Sequence, residues 1–177
     1  MTPDNPFDSG RPRPIATVLD ALRARIDAER FDAAVIWLEA VAADLGYGDV
    51  RPLPGAVAWI RELKGAEKKV VLCASGERAR AALELAGVAD LFDQIVTGPR
   101  NSGTVVEAAG GVGVDPGDAI LVDVAPAGIQ AGKEAGFDLL IGVARNLGGP
   151  EDLRQAGADM VVADLQELLG SAQGLDR

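Results

Sequence analysis

Histidine is missing altogether from these 177 residues. Without an imidazole the chain has no histidine general base, no Ser–His or Cys–His nucleophile pair and no histidine-containing metal site. Cysteine is nearly as scarce. The one copy, Cys73, sits inside the apolar run VVLC, the setting of a thiol that packs as a small hydrophobe, and one cysteine cannot form an intrachain disulfide. Basic residues are outnumbered, 17 against 27 acidic, and the net charge of −10 repels nucleic-acid backbones and anionic membrane surfaces. No apolar run approaches the roughly 18 residues of a membrane span. The polar, proline-rich start lacks the charged-then-apolar pattern of a secretory signal. These absences point to a cytoplasmic protein that binds neither nucleic acid nor membrane. Any chemistry it performs must run on carboxylates, lysine or hydroxyls.

What is present is a chain that is 48% hydrophobic and of one-domain length. Residues 1–14 are rich in proline and poor in apolar anchors, which predicts a disordered leader. Ile15, Val18, Leu19, Leu22 and Ile26 then recur at helical spacing, with Arg23, Arg25, Asp27 and Glu29 on the other side, and predict an amphipathic helix over 15–30. A core domain follows over 31–170, then a flexible tail over 171–177. In the core, apolar runs of strand length at 33–38, 69–74, 94–98, 119–124, 139–143 and 160–163 alternate with helical patterns at 56–64, 77–86, 103–111, 126–135, 150–156 and 164–169. Continuous apolar strands alternating with helices predict an α/β fold: a three-layer α/β/α sandwich around a parallel, Rossmann-like sheet. The first strand should be central, flanked by 69–74 and 119–124. Ligand crevices in such sheets lie beyond the carboxyl ends of the strands, which gathers Trp37, Glu39, Ala74, Ser75 and Asp123 into one place. Asp115 and Asp164 read as turn and N-cap residues.

Four segments carry a resemblance. AILVDVAPAGIQAGKEAGF (119–137), FDAAVIWLEA (31–40), RPLPGAVAWIRELKG (51–65) and GVADLFDQIVTG (87–98) are similar to motifs of the haloacid dehalogenase (HAD) superfamily, most closely its β-phosphoglucomutase-like branch. The resemblance implies a HAD core sheet and a Mg²⁺-dependent phosphoryl-transfer site. In that site one strand-end aspartate attacks phosphorus, and an acid two residues later protonates the leaving group. A Ser or Thr ending the second strand and a lysine bind the phosphoryl group, and fourth-motif acids hold the metal.

Carried over position by position, the resemblance implies a degenerate site. The nucleophile position is Trp37 and the acid position is Glu39. The hydroxyl position is Ala74, with Ser75 one residue late. The lysine position is Pro99, with Arg100 the nearest cation. Of the fourth-motif pair, Asp123 is kept and Val124 replaces its neighbour. The helical cap that the family inserts between its first and second motifs has no counterpart, since only residues 40–51 intervene, and that segment reads as an exposed loop. The expectation is a catalytically inactive, capless HAD-like domain acting as a structural, regulatory or interaction module, with a protein or a second copy as partner. No cofactor is expected, and at most weak Mg²⁺ binding through Asp123 and Glu39. The alternatives are a capless Mg²⁺-dependent phosphatase with a remodelled site, and a small-molecule or phosphate sensor without turnover.

Overall fold

Alternation along each strand sorts the core into two halves. In the computed structural model, which describes residues 31–46, 49–145 and 149–169, β1 (Ala33–Trp37) is buried along its whole length. Ala34 and Ile36 point into one cluster together with Val70, Leu72, Ile120, Val122 and Ile141. Ala33, Val35 and Trp37 point the other way, with Val71, Cys73, Leu121 and Leu140. A strand with both faces covered has no use for polar residues, which is why these runs are continuously apolar. Each large aliphatic side chain so buried contributes about 1.5–3 kcal/mol.

The other strands are β2 (Ala42–Gly46), β3 (Asp49–Pro52), β4 (Lys69–Ala74), β5 (Gln94–Thr97), β6 (Ala119–Asp123), β7 (Leu139–Val143) and β8 (Met160–Val162). Six of the strands form one parallel sheet in the order β5-β4-β1-β6-β7-β8. β1 lies between β4 and β6, with Trp37 opposite Cys73 and Ile36 opposite Val122. The helices are α1 (Pro54–Gly65), α2 (Ala79–Leu85), α3 (Ser102–Gly111), α4 (Pro126–Ala135) and α5 (Pro150–Ala156). Trp59, Ile60 and Leu63 of α1 and Leu83 of α2 cover the first face, joined by Leu165 and Leu168. Val105 of α3, Ile129 of α4 and Leu153 of α5 cover the second. The result is the expected three-layer sandwich with the expected central strand.

Differences from the sequence reading are local. Leu38 leaves β1 to begin a 3-10 turn, Leu38–Ala40. The helix expected over 77–86 starts later, at Ala79, because Glu77 and Arg78 form a turn after the bend at Ser75 and Gly76. The helix expected over 164–169 is a single 3-10 turn, Leu165–Leu168. Asp164 caps that turn in a reciprocal capping box with Glu167, as the reading of Asp164 as an N-cap anticipated. The segment expected to be an open loop contains the antiparallel hairpin β2–β3. Its short strands, AADLG and DVRP, carry too little hydrophobic alternation to announce themselves. The leader, the N-terminal amphipathic helix and the tail lie outside the described residues.

Two glycines matter to the geometry. Gly136 adopts φ 84° and ends α4 in the left-handed conformation that lets Phe137 N–H reach back to Gly132 O at 3.0 Å. Gly128, in the first turn of the same helix, leaves no room for a side chain, because a Cβ there would collide with Asp123 Oδ2.

A partly buried ion pair fastens α1 to the sheet. Lys64 Nζ donates to Asp93 Oδ1 at 2.7 Å, and Val70 N–H donates to Asp93 Oδ2 at 2.8 Å. Burial alone would push the Asp93 pKa up, but the Lys64 hydrogen bond and the Val70 N–H together hold it below the ordinary aspartate value. A carboxyl whose pKa is lowered by folding contributes stability above its unfolded value and loses it as pH falls through the folded one. Asp93→Asn is therefore expected to be less stable than the parent at neutral pH. In urea titrations the gap should narrow as pH falls below the ordinary aspartate range. A gap that is flat with pH would show that Asp93 acts without its charge.

Candidate active site

Three chain segments meet beyond the carboxyl ends of β1 and β6. β1 ends at Trp37, and the 3-10 turn that follows turns Glu39 toward β6. β6 ends at Asp123, which is fully buried. The third segment is the turn between β5 and α3. It is tied to the end of β4 by Gly98 N–H donating to Ala74 O at 3.0 Å, and Asn101 closes it by capping α3 through Thr104 N–H. Between those anchors Arg100 reaches into the site.

Arg100 dominates the arrangement. Its Nε donates to Asp123 Oδ2 at 2.8 Å and its Nη2 to Asp123 Oδ1 at 3.1 Å, a two-pronged grip on one carboxylate. The same Nη2 donates to Glu39 Oε2 at 2.6 Å. The guanidinium carbon lies 4.6 Å from the centroid of the Trp37 ring, within cation–π range. Val124 N–H also donates to Asp123 Oδ1, at 2.7 Å. Arg145, just past β7, donates from Nη1 to the backbone carbonyl of Glu39 at 2.7 Å and pins the turn from the other side.

The electrostatics follow from burial. Removal from water raises the Asp123 pKa, and Arg100 and the backbone N–H groups of Ala125 and Val124 pull the other way. Burial also works against the charge of Arg100, but Asp123 and Glu39 outweigh it and hold the guanidinium more firmly protonated than an ordinary arginine. The two directions oppose each other on the ionisation of Asp123, and the geometry resolves them. Every neighbour hydrogen-bonded to Asp123 is a donor, and a carboxyl ringed by donors is an acceptor, hence ionised.

Cys73, opposite Trp37 on β4, has its thiol pKa pushed up to about 12, first by burial and then by the negative charge of Asp123. It should resist thiol reagents at pH values near 8 and react only on unfolding. Rapid labelling of the native protein by a chromogenic disulfide would contradict that burial.

The expected site residues divide into two groups. Trp37, Glu39, Arg100 and Asp123 are brought together. Trp37 is fully buried, and its indole Nε1–H has no hydrogen-bond partner among the described residues. The others contribute no polar side chain to this cluster, Val124 entering it only through its backbone N–H. Ala74 is buried at the end of β4, and Val124 packs into the first core cluster. Pro99 lies in the turn, where its carbonyl accepts from Asn101 N–H at 2.9 Å. Ser75 is exposed beyond the strand, where it lines an adjoining cleft of about 190 Å³ with Glu39, Leu38, Val50 and Arg78. Sequence reasoning missed Arg145 and Gly128. Arg145 stands two residues past the end of β7, and asking which side chains crowd that rim would have found it.

A divalent cation does not fit these residues. Both oxygens of Asp123 already receive donors, and one oxygen of Glu39 is engaged by the same guanidinium. Among the described residues no group of three or more carboxylate or thiol side chains is placed to hold a metal.

Over residues 9–136 the sequence matches the model of the haloacid dehalogenase-like hydrolases. The chain belongs to that family. A trehalose-phosphate phosphatase of Mycobacterium leprae is 34% identical over 150 residues, which are 81% of this chain and 33% of that protein, so the chain spans about a third of that relative. Two solved HAD structures share the fold. A HAD family hydrolase from Deinococcus radiodurans, with bound phosphate and sodium, superposes with a TM-score of 0.69 at 18% identity, over 79% of this chain and 94% of that one. A β-phosphoglucomutase from Clostridium difficile does so with a TM-score of 0.58 at 27% identity, over 66% of this chain and 52% of that one. The parallel sheet and its flanking helices are thus the HAD core. No described helix is long and apolar enough to cross a membrane.

Proposed function

We propose that this HAD-like domain performs no phosphoryl transfer and serves as a structural or regulatory module, held against a protein partner or a second copy. One observation supports the reading above the others: where the family places its nucleophile, β1 ends in a buried indole lying under a guanidinium. Covalent phosphoryl transfer needs an oxygen at that point, and an indole N–H is a donor without nucleophilic lone pairs. Phosphate-monoester hydrolysis is so slow unaided that losing this step forfeits much of a barrier reduction on the order of 20 kcal/mol. The remaining features agree. The lysine and hydroxyl positions are Pro99 and Ala74, and the short hairpin-bearing connection from β1 to α1 stands where small-molecule members carry a cap. On this reading the domain needs no cofactor.

A second reading, a capless phosphatase with a remodelled site, has its own support. Family membership and the names of the relatives favour a hydrolase over an inactive module when taken alone, and fold by itself decides neither. Purified protein assayed with p-nitrophenyl phosphate and with trehalose phosphate, in the presence of Mg²⁺, is expected to give no turnover above a blank. Steady turnover that survives repurification and vanishes in Asp123→Asn establishes the second reading.

A further inference from the structure

The Arg100 cluster has the stoichiometry of a filled cation site. Two carboxylates from different strand ends, Asp123 and Glu39, converge on one positive group that contacts both at 2.6–3.1 Å. Asp123 is fully buried, so its charge needs a partner inside the protein rather than in solvent. The guanidinium supplies that partner from a fixed direction. Its turn is anchored at Gly98 and capped at Asn101, and its flat face rests on Trp37. A planar fork with parallel donors matches a carboxylate as an octahedral ion does not, and a guanidinium sheds its hydration more readily than a small divalent ion.

We propose that the guanidinium of Arg100 takes the place of a divalent cation between Glu39 and Asp123, so that this carboxylate pair accepts a metal ion only when Arg100 is removed. The inference goes beyond the question of turnover. A metal entering the parent protein would have to displace a charge already in contact with both acids, and the entering ion would meet that charge a few ångströms away. Coulomb repulsion at such range is large in a half-buried site. The Trp37 ring closes the side beneath the guanidinium.

The test is titration of the whole chain with MnCl₂, read by isothermal calorimetry and by the electron paramagnetic resonance of free Mn²⁺. The parent is expected to take up no Mn²⁺ at millimolar concentration. Arg100→Gln should bind at least about tenfold more tightly, since one competing unit charge has gone. Arg100→Gln with Glu39→Gln should lose that gain. If Arg100→Gln does not fold, Arg100→Met decides: it keeps an apolar stem and removes the charge, so Mn²⁺ uptake is expected there, and none would overturn the proposal. The parent binding Mn²⁺ as tightly as the variants, or Arg100→Gln folding without binding any, also overturns it. Phosphoester turnover by a parent that takes up no Mn²⁺ sinks the functional reading and leaves this inference standing. Mn²⁺ uptake without turnover does the reverse.

Discussion

The triple variant Trp37→Asp, Glu39→Asp, Val124→Asp, which restores the carboxylates that the family pattern calls for, is expected to be strongly destabilised and to hydrolyse no phosphoester. Trp37 is fully buried and packs into the second core cluster. Replacing a buried aromatic by a much smaller side chain costs about 3–5 kcal/mol. Val124 is buried in the opposite cluster, so an aspartate there puts a further carboxyl where apolar contacts were. With Asp123 in place, acids would crowd around one arginine, and like charges at close range push carboxyl pKa values up and stability down. The chemistry would still lack the lysine and the hydroxyl that the family pattern calls for, because Pro99 and Ala74 are unchanged. Urea unfolding and a p-nitrophenyl phosphate assay in Mg²⁺ read both halves. A variant that folds as well as its parent and turns over would show that the site is disarmed rather than rebuilt for another purpose.

Arg100→Ala should be nearly as damaging through a different mechanism. It leaves Asp123 buried with backbone N–H groups as its remaining partners and removes the charge over the Trp37 ring. Removing one partner of a buried ion pair costs about 3–5 kcal/mol, because the other charge stays desolvated. Glu39 is half-exposed and rotates into water at little cost. The loss should therefore be traceable to Asp123, and Arg100→Ala with Asp123→Asn should be more stable than Arg100→Ala alone.

The pH dependence has a definite sign. The Asp123 pKa is already raised by burial in the parent, and removing Arg100 takes away the largest opposing effect. A carboxyl whose folded pKa lies above its unfolded value favours the folded state below the unfolded value, and that contribution is lost as pH rises through the folded one. The deficit of Arg100→Ala should thus shrink as pH falls from neutrality toward the ordinary aspartate range. Thermal unfolding across that range is the measurement, and a deficit independent of pH would mean that lost packing of the arginine stem, not the stranded charge, is responsible.

Much of this architecture was legible in the residues. KVVLCA and LLIGV became β4 and β7 over the residues expected, because a doubly covered strand admits almost nothing but apolar side chains. Pro126 and Gly136 bracketed α4 through fixed φ at one end and a left-handed cap at the other. The hairpin β2–β3 was not legible. Short strands depend on what they pack beside, and the order of residues along AADLG says nothing of that.

The site divides along the same line. The sequence by itself determined that Asp123 ends a buried strand, and its resemblance to the family implied that Trp37, Pro99 and Ala74 stand at the nucleophile, lysine and hydroxyl positions. Each of these is a matter of residue identity at a strand end, which local pattern and motif spacing record. Only the tertiary structure decided what replaces them. Arg100 is far along the chain from both Glu39 and Asp123, and nothing in GPRNSG announces that its third residue turns inward. That direction comes from the anchoring of Gly98 to β4, from the Asn101 cap, and from the absence of a side chain on Gly128, which leaves Asp123 free to face the arginine. Pairing of charges across such separations is fixed by packing and desolvation in three dimensions, and local sequence carries no term for either.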